Sequence, residues 1–315
     1  MEQKFDWEFY INNYKDLRDN GINTYEKALN HWNKFGRKEG RVGFKNINKD
    51  AVIFCMARDE KNYINEFIQY HLILGFDRIY LYDDEDIPIY KSLINPLWPV
   101  TVIPISSIKQ YGSQRTKMLH HFFVNYKNKH YWATCIDVDE FIVLKKHNDI
   151  HEFLNEFIPL NGGVGINWVL FGSNEQKLYE DKAVLERFTR CGDPNVHIKT
   201  IFVCSDAREM QNPHFVSKYI AGSTKSTNGN VVNGPFNTNP DVSICQINHY
   251  HTKSSEEYSR KRQRGAGTLN NGRGLENSKH YDKNQFVSSD KNIYIDTFAL
   301  EYFNKNKNIL DKYSQ

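Results

Sequence analysis

From residue 50 onward the apolar residues come as short unbroken runs alternating with stretches of helical period, a pattern that predicts buried strands separated by helices. Ala51–Met56 is the first such run, ended by Ala57-Arg58-Asp59-Glu60. Tyr63–Leu74 then places Ile64, Phe67, Ile68, His71 and Leu72 at helical spacing, and Gly75 stops it. Arg78–Tyr82 predicts a second strand, closed by Asp83-Asp84-Glu85-Asp86. Strand, helix and strand in this compass form a βαβ unit, whose strands are parallel. Val100–Ile105 predicts a third strand, Gln114–Tyr126 a helix, and Tyr131–Ile136 a further strand. That last run continues to Leu144, broken only by Asp137, Asp139 and Glu140. Downstream, Gly162-Gly163-Val164-Gly165 turns into the run Ile166–Phe171, while Glu186–Phe188 and His197–Ile201 read as strands. Residues 222–240, dense in Gly, Asn, Ser, Thr and Pro, predict a long loop. Apolar positions return at Ile293, Ile295, Phe298, Leu300, Tyr302 and Phe303, ahead of a tail rich in Lys and Asn.

The first 48 residues follow another rule and read as a separate helical module, with residues 49–315 as the main α/β domain. Phe5, Trp7, Phe9, Tyr10, Tyr14 and Leu17 suggest one short helix. Asn23 with Glu26 three residues later has the form of a helix cap, after which Ala28, Leu29, Trp32 and Phe35 share a face. So many aromatic residues on so small a unit need a surface to cover. Docking on the main domain is the first expectation, and a homodimer contact the second.

Composition narrows the class. Charged residues at 25% and hydrophobic ones at 39% describe an ordinary soluble globular chain. A net charge of +3 is too small to require nucleic acid as a partner. No run approaches the roughly eighteen apolar residues of a membrane span. The opening Met-Glu-Gln-Lys-Phe-Asp lacks the layout of a signal peptide, so the expected location is cytoplasmic. The five cysteines are scattered without CxxC spacing, which argues against a disulfide framework or a zinc site.

The acids after Ile136 change the picture most. Carboxylates do not stay ionised in an apolar core without partners, so the strand is expected to end near Asp137 and open into a cleft. Residues two apart on an extended chain share a side, so Asp137 and Asp139 could face one cation. Hard divalent ions such as Mg²⁺ and Mn²⁺ combine one or two carboxylates with phosphate oxygens. The pattern Asp-x-Asp is weak alone, since Asp84-Glu85-Asp86 repeats it.

Four segments in this order carry a resemblance: Phe54-Cys55-Met56-Ala57-Arg58-Asp59-Glu60, Tyr82-Asp83-Asp84, Gln114-Arg115 and Ile136-Asp137-Val138-Asp139-Glu140-Phe141. Together they resemble the GT-A fold of glycosyltransferases, most closely the family 92 and family 2-like group. Trp168-x-x-Phe171-Gly172-Ser173 and Asn248-His249-Tyr250-x-x-Lys253-Ser254 are similar to that group's later blocks, so the likeness covers about residues 50–265. The chain departs from the pattern at Asp59 and Asp84, where the group commonly has Asn. Tyr14-x-Asp16-Leu17 with His31-Trp32-x-x-x-Gly36-x-x-Glu39-Gly40-Arg41 resembles a helical module attached to bacterial and giant-virus glycosyltransferases.

The resemblance implies a Rossmann-like nucleotide-binding half within a mixed central sheet flanked by helices, and a hexose moved from a UDP-sugar to a hydroxyl of a glycan or glycoprotein. Ala57, Arg58, Glu60, Asp83, Gln114, Arg115 and Lys253 would hold the nucleotide and its phosphates. Asp137, Asp139 and His249 would bind Mn²⁺ or Mg²⁺, with His251 left as a packed histidine. The likeness to giant-virus proteins implies a viral origin and a collagen-like acceptor such as galactosyl-hydroxylysine, with glucose or galactose as donor. An inverting reaction needs a carboxylate base, for which Glu140, Asp206 and Glu209 are candidates; Glu140 would alternate away from the metal acids, which also fits a structural role. Trp168 and Phe171 offer faces for a sugar ring, or core packing. Lys199, interrupting a strand, suggests a phosphate or acceptor contact, with snorkelling as the alternative. Arg260, Arg262 and Arg264, followed by Gly265-Ala266-Gly267 and Gly272-Arg273-Gly274, suggest a basic lid over the substrates, or a solvated helix face.

Two other classes share parts of this pattern. Haloacid-dehalogenase-type phosphatases also end an apolar strand in Asp-x-Asp, but want Thr or Val where this chain has Phe141. A non-catalytic carbohydrate-binding protein on the same fold would keep the sheet and lack turnover.

Overall fold

The computed structural model describes residues 5–43, 49–158, 160–264 and 283–314. Its strands are β1 (Ala51–Ala57), β2 (Arg78–Asp83), β3 (Val100–Pro104), β4 (Trp132–Cys135), β5 (Glu140–Leu144), β6 (Gly163–Phe171), β7 (Arg190–Val203), β8 (Ala207–Glu209), β9 (Lys218–Tyr219), β10 (Thr224–Ser226), β11 (Cys245–His249) and β12 (Tyr294–Ile295). The main sheet runs β3-β2-β1-β4-β7-β6-β11-β5. The first four of these are mutually parallel, and antiparallel pairing begins where β7 joins β4. This is the mixed α/β sheet the resemblance implies, with one half parallel.

The unbroken apolar runs exist because both faces of the parallel half are covered. On β1, Ala51, Ile53, Cys55 and Ala57 pack with Ile64, Phe67 and Ile68 of the Ile64–Ile73 helix. The alternate residues Val52 and Phe54 meet Met118, Leu119 and Phe122 of the Gln114–Asn125 helix. Phe54 and Phe122 stack with ring centroids 3.9 Å apart. The run Tyr131–Leu144 does not stay together: β4 lies beside β1 at the centre, whereas β5 forms the far edge beside β11. The acids therefore occupy the connection between a central strand and an edge strand.

Several local expectations change. The stretch Glu186–Phe188 is no strand: Val184–Arg187 is a short helix whose first amides, of Val184 and Leu185, donate to the Glu66 carboxylate at 2.7 and 3.0 Å. The long loop contains β10, paired with the glycine-rich start of β6. In the N-terminal module the expected single helix breaks at Tyr14 into Trp7–Asn13 and Lys15–Asp19. The cap of the next helix, Tyr25–His31, is Thr24 rather than Asn23: Thr24 is extended and its hydroxyl accepts from the Lys27 amide.

That module has its own core of Tyr10, Tyr14, Leu17, Ala28 and Trp32, against which Ile220 of the main body packs. Arg41 clamps Asp16 with two bonds of 2.9 and 2.7 Å and also reaches Glu39, which lies 3.8 Å from Arg208. These contacts favour docking within the chain, although Tyr25 and Phe35 stay exposed.

A pH dependence arises in the helix behind β1. His71 is fully buried; its Nδ1 lies 2.9 Å from the Phe67 carbonyl and its Nε2 accepts from the Ile142 amide. One nitrogen donating and one accepting is the neutral ring, and burial pushes its pKa down to about 3. The unfolded chain, with an ordinary histidine near 6.5, takes the proton first. Stability from this group is therefore complete above about pH 6.5 and erodes as pH falls toward 3. Unfolding free energies from denaturant titrations at pH 7 and 5 should differ by about 2 kcal/mol on its account, and His71→Leu should remove that share of the slope. An unchanged slope in the variant would refute the assignment.

Candidate active site

Between β4 and β5 the chain bends at Val138-Asp139. The bend closes through Glu140 N donating to Asp137 O at 3.0 Å and Asp137 N donating to Glu140 Oε2 at 2.9 Å. The two-residue alternation of a strand does not apply to a turn, so the aspartates find different partners. Lys199 of β7, fully buried, donates to Asp137 Oδ2 at 2.9 Å and lies 3.3 Å from Glu140 Oε2. Burial alone would raise Asp137, but Lys199 and then Arg115 outweigh it and hold the carboxyl well below the usual range. Asp137 keeps 41% of its side chain accessible, so its other side remains open. Glu140 is fully buried, and burial, opposed by Lys199, pushes it up to about 7.

Asp139 is met from the other direction. Strand β11 runs antiparallel to β5 with His249 opposite Glu140, and the Tyr250 amide donates to the Asp139 carbonyl at 2.9 Å. This register carries His249 Nε2 to 3.6 Å from Asp139 Oδ1, with His251 following. Asp139, His249 and His251 offer ligand atoms that all lie within 4.8 Å of one another. His249 Nδ1 is buried and has no hydrogen-bond partner. Lys261, on the Ser255–Arg264 helix, reaches the same place: its Nζ is 2.5 Å from Asp139 Oδ2 and 3.4 Å from His251 Nδ1. That ammonium, then burial, pushes His251 down to about 2 and keeps its ring neutral, a state with a lone pair to give. One carboxylate and two imidazoles form a mixed oxygen and nitrogen set, which suits a divalent transition-metal ion better than Mg²⁺. The residues present thus fit a cation, with His251 in the set and Asp137 drawn off to Lys199.

A cavity beside this group is lined by Asp59, Glu60, Tyr63, Lys253, Arg260 and Lys261, among others. It lies beyond the end of β1, where ligands of parallel sheets are expected. Lys253 is buried, in the left-handed backbone region (φ 50°), with its ammonium 4.3 Å from the centre of the Tyr63 ring and 3.8 Å from Glu60. Arg260 approaches Asp59 at 3.8 Å. Arg58 donates to the Asp84 carbonyl and bridges toward Asp86, while Ala57 is fully buried. Gln114 and Arg115 open the helix capped by Ser113, and Arg115 is near enough to Asp137 to depress it.

Other expected contacts are redirected by burial. Asp83 is spent on structure: its carboxylate accepts from the amides of Glu85, Ile89 and Tyr90, so it does not reach for a ribose. Phe171 is fully buried in the main core, where no sugar can stack. Trp168 is half-covered: His197 stacks on it at 4.8 Å, and His214 and His249 approach at 5.1 and 4.4 Å. Lys199 is an internal clamp, not a surface contact. Asp206 accepts from the amides of Gly162, Ala221 and Gly222 and so ties a loop rather than acting as a base. Glu209 is exposed on β8. Glu140, sealed against Lys199, is positional. Arg262 sits on the same helix as Lys261, its Nε buried without a hydrogen-bond partner. The side chain of Arg264 and the glycine-bearing segment after it lie outside the described residues.

The sequence reading missed Lys261 and set His251 aside. The signal for His251 was its position two residues beyond His249; nothing local marks Lys261 among its basic neighbours.

Among the described residues no helix is long and apolar enough to cross a membrane. No curated protein matches the chain. Among solved structures it is similar to HddC from Yersinia pseudotuberculosis, at 12% identity over 59% of this chain and 93% of that one, with a TM-score of 0.33. It is also similar to 4-diphosphocytidyl-2C-methyl-D-erythritol synthase (8% identity, 51% and 77% covered, TM-score 0.31). A third is the mannosyltransferase Ktr4p from S. cerevisiae (10% identity, 54% and 58% covered, TM-score 0.25). The family model described as glycosyltransferase family 92 matches residues 50–290.

Proposed function

The chain belongs to glycosyltransferase family 92, and from that premise we propose that it moves a hexose from a UDP-sugar to a hydroxyl of a glycan or glycosylated protein, with a divalent cation at the site. The observation that carries the cation is the convergence of Asp139, His249 and His251, next to a cavity rimmed by Lys253, Arg260 and Lys261. When bound, a cation there neutralises charge on the departing diphosphate. Asp139, held ionised, and the imidazoles of His249 and His251 would supply its ligands. Asp137 presents its open side to the cation or the donor. Lys253 and Arg260 add positive charge for the phosphates, Lys253 as a point charge fixed by Tyr63 and Glu60. Lys199 keeps Asp137 and Glu140 in place as the chemistry proceeds. Membership of this family removes the phosphatase reading; the acceptor class, including a galactosylated collagen-like chain, stays with the proposal.

Incubation with Mn²⁺ and a panel of UDP-hexoses, reading released UDP, tests this directly. One donor should turn over, and chelation should slow it by about 10²–10³-fold, the equivalent of several kcal/mol of leaving-group stabilisation. Turnover indifferent to chelation removes the cation from the proposal. Absence of turnover with every donor favours the non-catalytic carbohydrate-binding alternative.

A further inference from the structure

We propose that Lys261 is a built-in occupant of the cation position, so that a divalent ion enters only when this side chain withdraws, leaving its ammonium free for the donor's diphosphate. The inference rests on the reading of Asp139, His249 and His251 as a cation site. The Lys261 ammonium lies 2.5 Å from Asp139 Oδ2, 3.4 Å from His251 Nδ1 and 3.5 Å from the His251 carbonyl. The single lone pair of His251 Nδ1 cannot serve the ammonium and a metal at once, and two cations this close to one carboxylate repel, so they compete for the position.

The contrast with Lys199 shows that this contact is made to break. Lys199 is fully buried and gripped by two acids, whereas Lys261 keeps 24% of its side chain accessible and has one carboxylate partner at this site. Charge points the same way. Asp139 with Lys261 is a neutral pair; exchanging the ammonium for a divalent ion adds positive charge and releases another beside the same cavity. The carboxylates that line the cavity already face Lys253, Arg260 and Arg187, so a diphosphate is the anion that this added charge suits. Ion and donor therefore favour each other's binding through one side chain.

The test uses the full chain with Mn²⁺ alone, without nucleotide, and reads free Mn²⁺ by electron paramagnetic resonance. A site closed by an internal competitor binds with an affinity reduced by the fraction of time it is open. Lys261→Met and Lys261→Gln should each bind Mn²⁺ on the order of tenfold more tightly than the native chain, and Asp139→Asn should abolish saturable binding. Equal or weaker binding by both Lys261 variants, with Asp139→Asn still defective, would overturn the inference and leave the cation site standing. Absence of saturable binding in the native chain and in both Lys261 variants would overturn the two together. Thermal melts of each variant identify any that has lost its fold, and a partly exposed helix position accepts Met or Gln without a buried gap.

Discussion

Asp139→Asn is expected to lower kcat/KM for the donor by about 10³-fold while leaving the chain folded. The carboxylate sits where β11 delivers two histidines, and an amide of the same shape keeps the backbone bond from Tyr250. Burial opposes its ionised form, and Lys261 and then His249 restore it, holding the pKa well below the usual range. An amide offers a single weaker oxygen and no charge, so leaving-group stabilisation is lost and packing is not. Initial rates of UDP release, with a melting curve on the same preparation, separate the two effects. Retention of more than a tenth of native kcat/KM would mean that the cation is held elsewhere. Asp137→Asn should differ by lowering the melting temperature as well, because it strips a partner from the buried ammonium of Lys199.

The second large effect is structural. Arg187→Met should destabilise the chain by about 3–5 kcal/mol, since it leaves Glu257 buried with its charge uncompensated. Arg187 is fully buried and forks onto both oxygens of Glu257, at 3.1 and 2.5 Å. Tyr63 and Ser254 add hydroxyl donors to the same carboxylate, and Gln176 accepts from Arg187 Nε at 3.2 Å. Ser254 and Glu257 also bond reciprocally as a capping box at the start of the Ser255–Arg264 helix. The network therefore fixes the root of the helix that carries Arg260 and Lys261. Chemical denaturation should show the full loss, and Arg187→Met with Glu257→Leu should recover most of it, since an apolar pair of like volume replaces a buried ion pair at little cost. A double variant as unstable as the sum of its singles would show that packing, not charge, dominates there.

The parallel half of the fold was legible because each element announces itself locally. Strand β1 and the helices Ile64–Ile73 and Gln114–Asn125 lie within a residue or two of their expected bounds. Their apolar runs are continuous for a reason of packing: two layers of helix press on one strand. Asp137 and Asp139 were legible as misfits in such a run. Their division of labour was not, because it depends on a bend that abolishes the strand's alternation and on two lysines 62 and 122 residues away. Phe171 and Trp168 show the same limit from the apolar side. Their residue types suit a sugar, but only the sheet order, with β6 between β7 and β11, reveals what already covers them.

Strand β5 has a further consequence for synthesis. Its five residues are all buried, yet its backbone partner β11 starts at Cys245, a hundred residues further along. During translation the emerging polypeptide therefore carries an oily ribbon whose mate has not been made, the kind of segment that recruits chaperones or aggregates. Ribosome-stalled fragments ending before Cys245 should bind holdase chaperones and resist folding, and release beyond His249 should zip the edge shut. The same closing stroke sets His249 beside Asp139, so the candidate cation site does not exist until that stretch has been made.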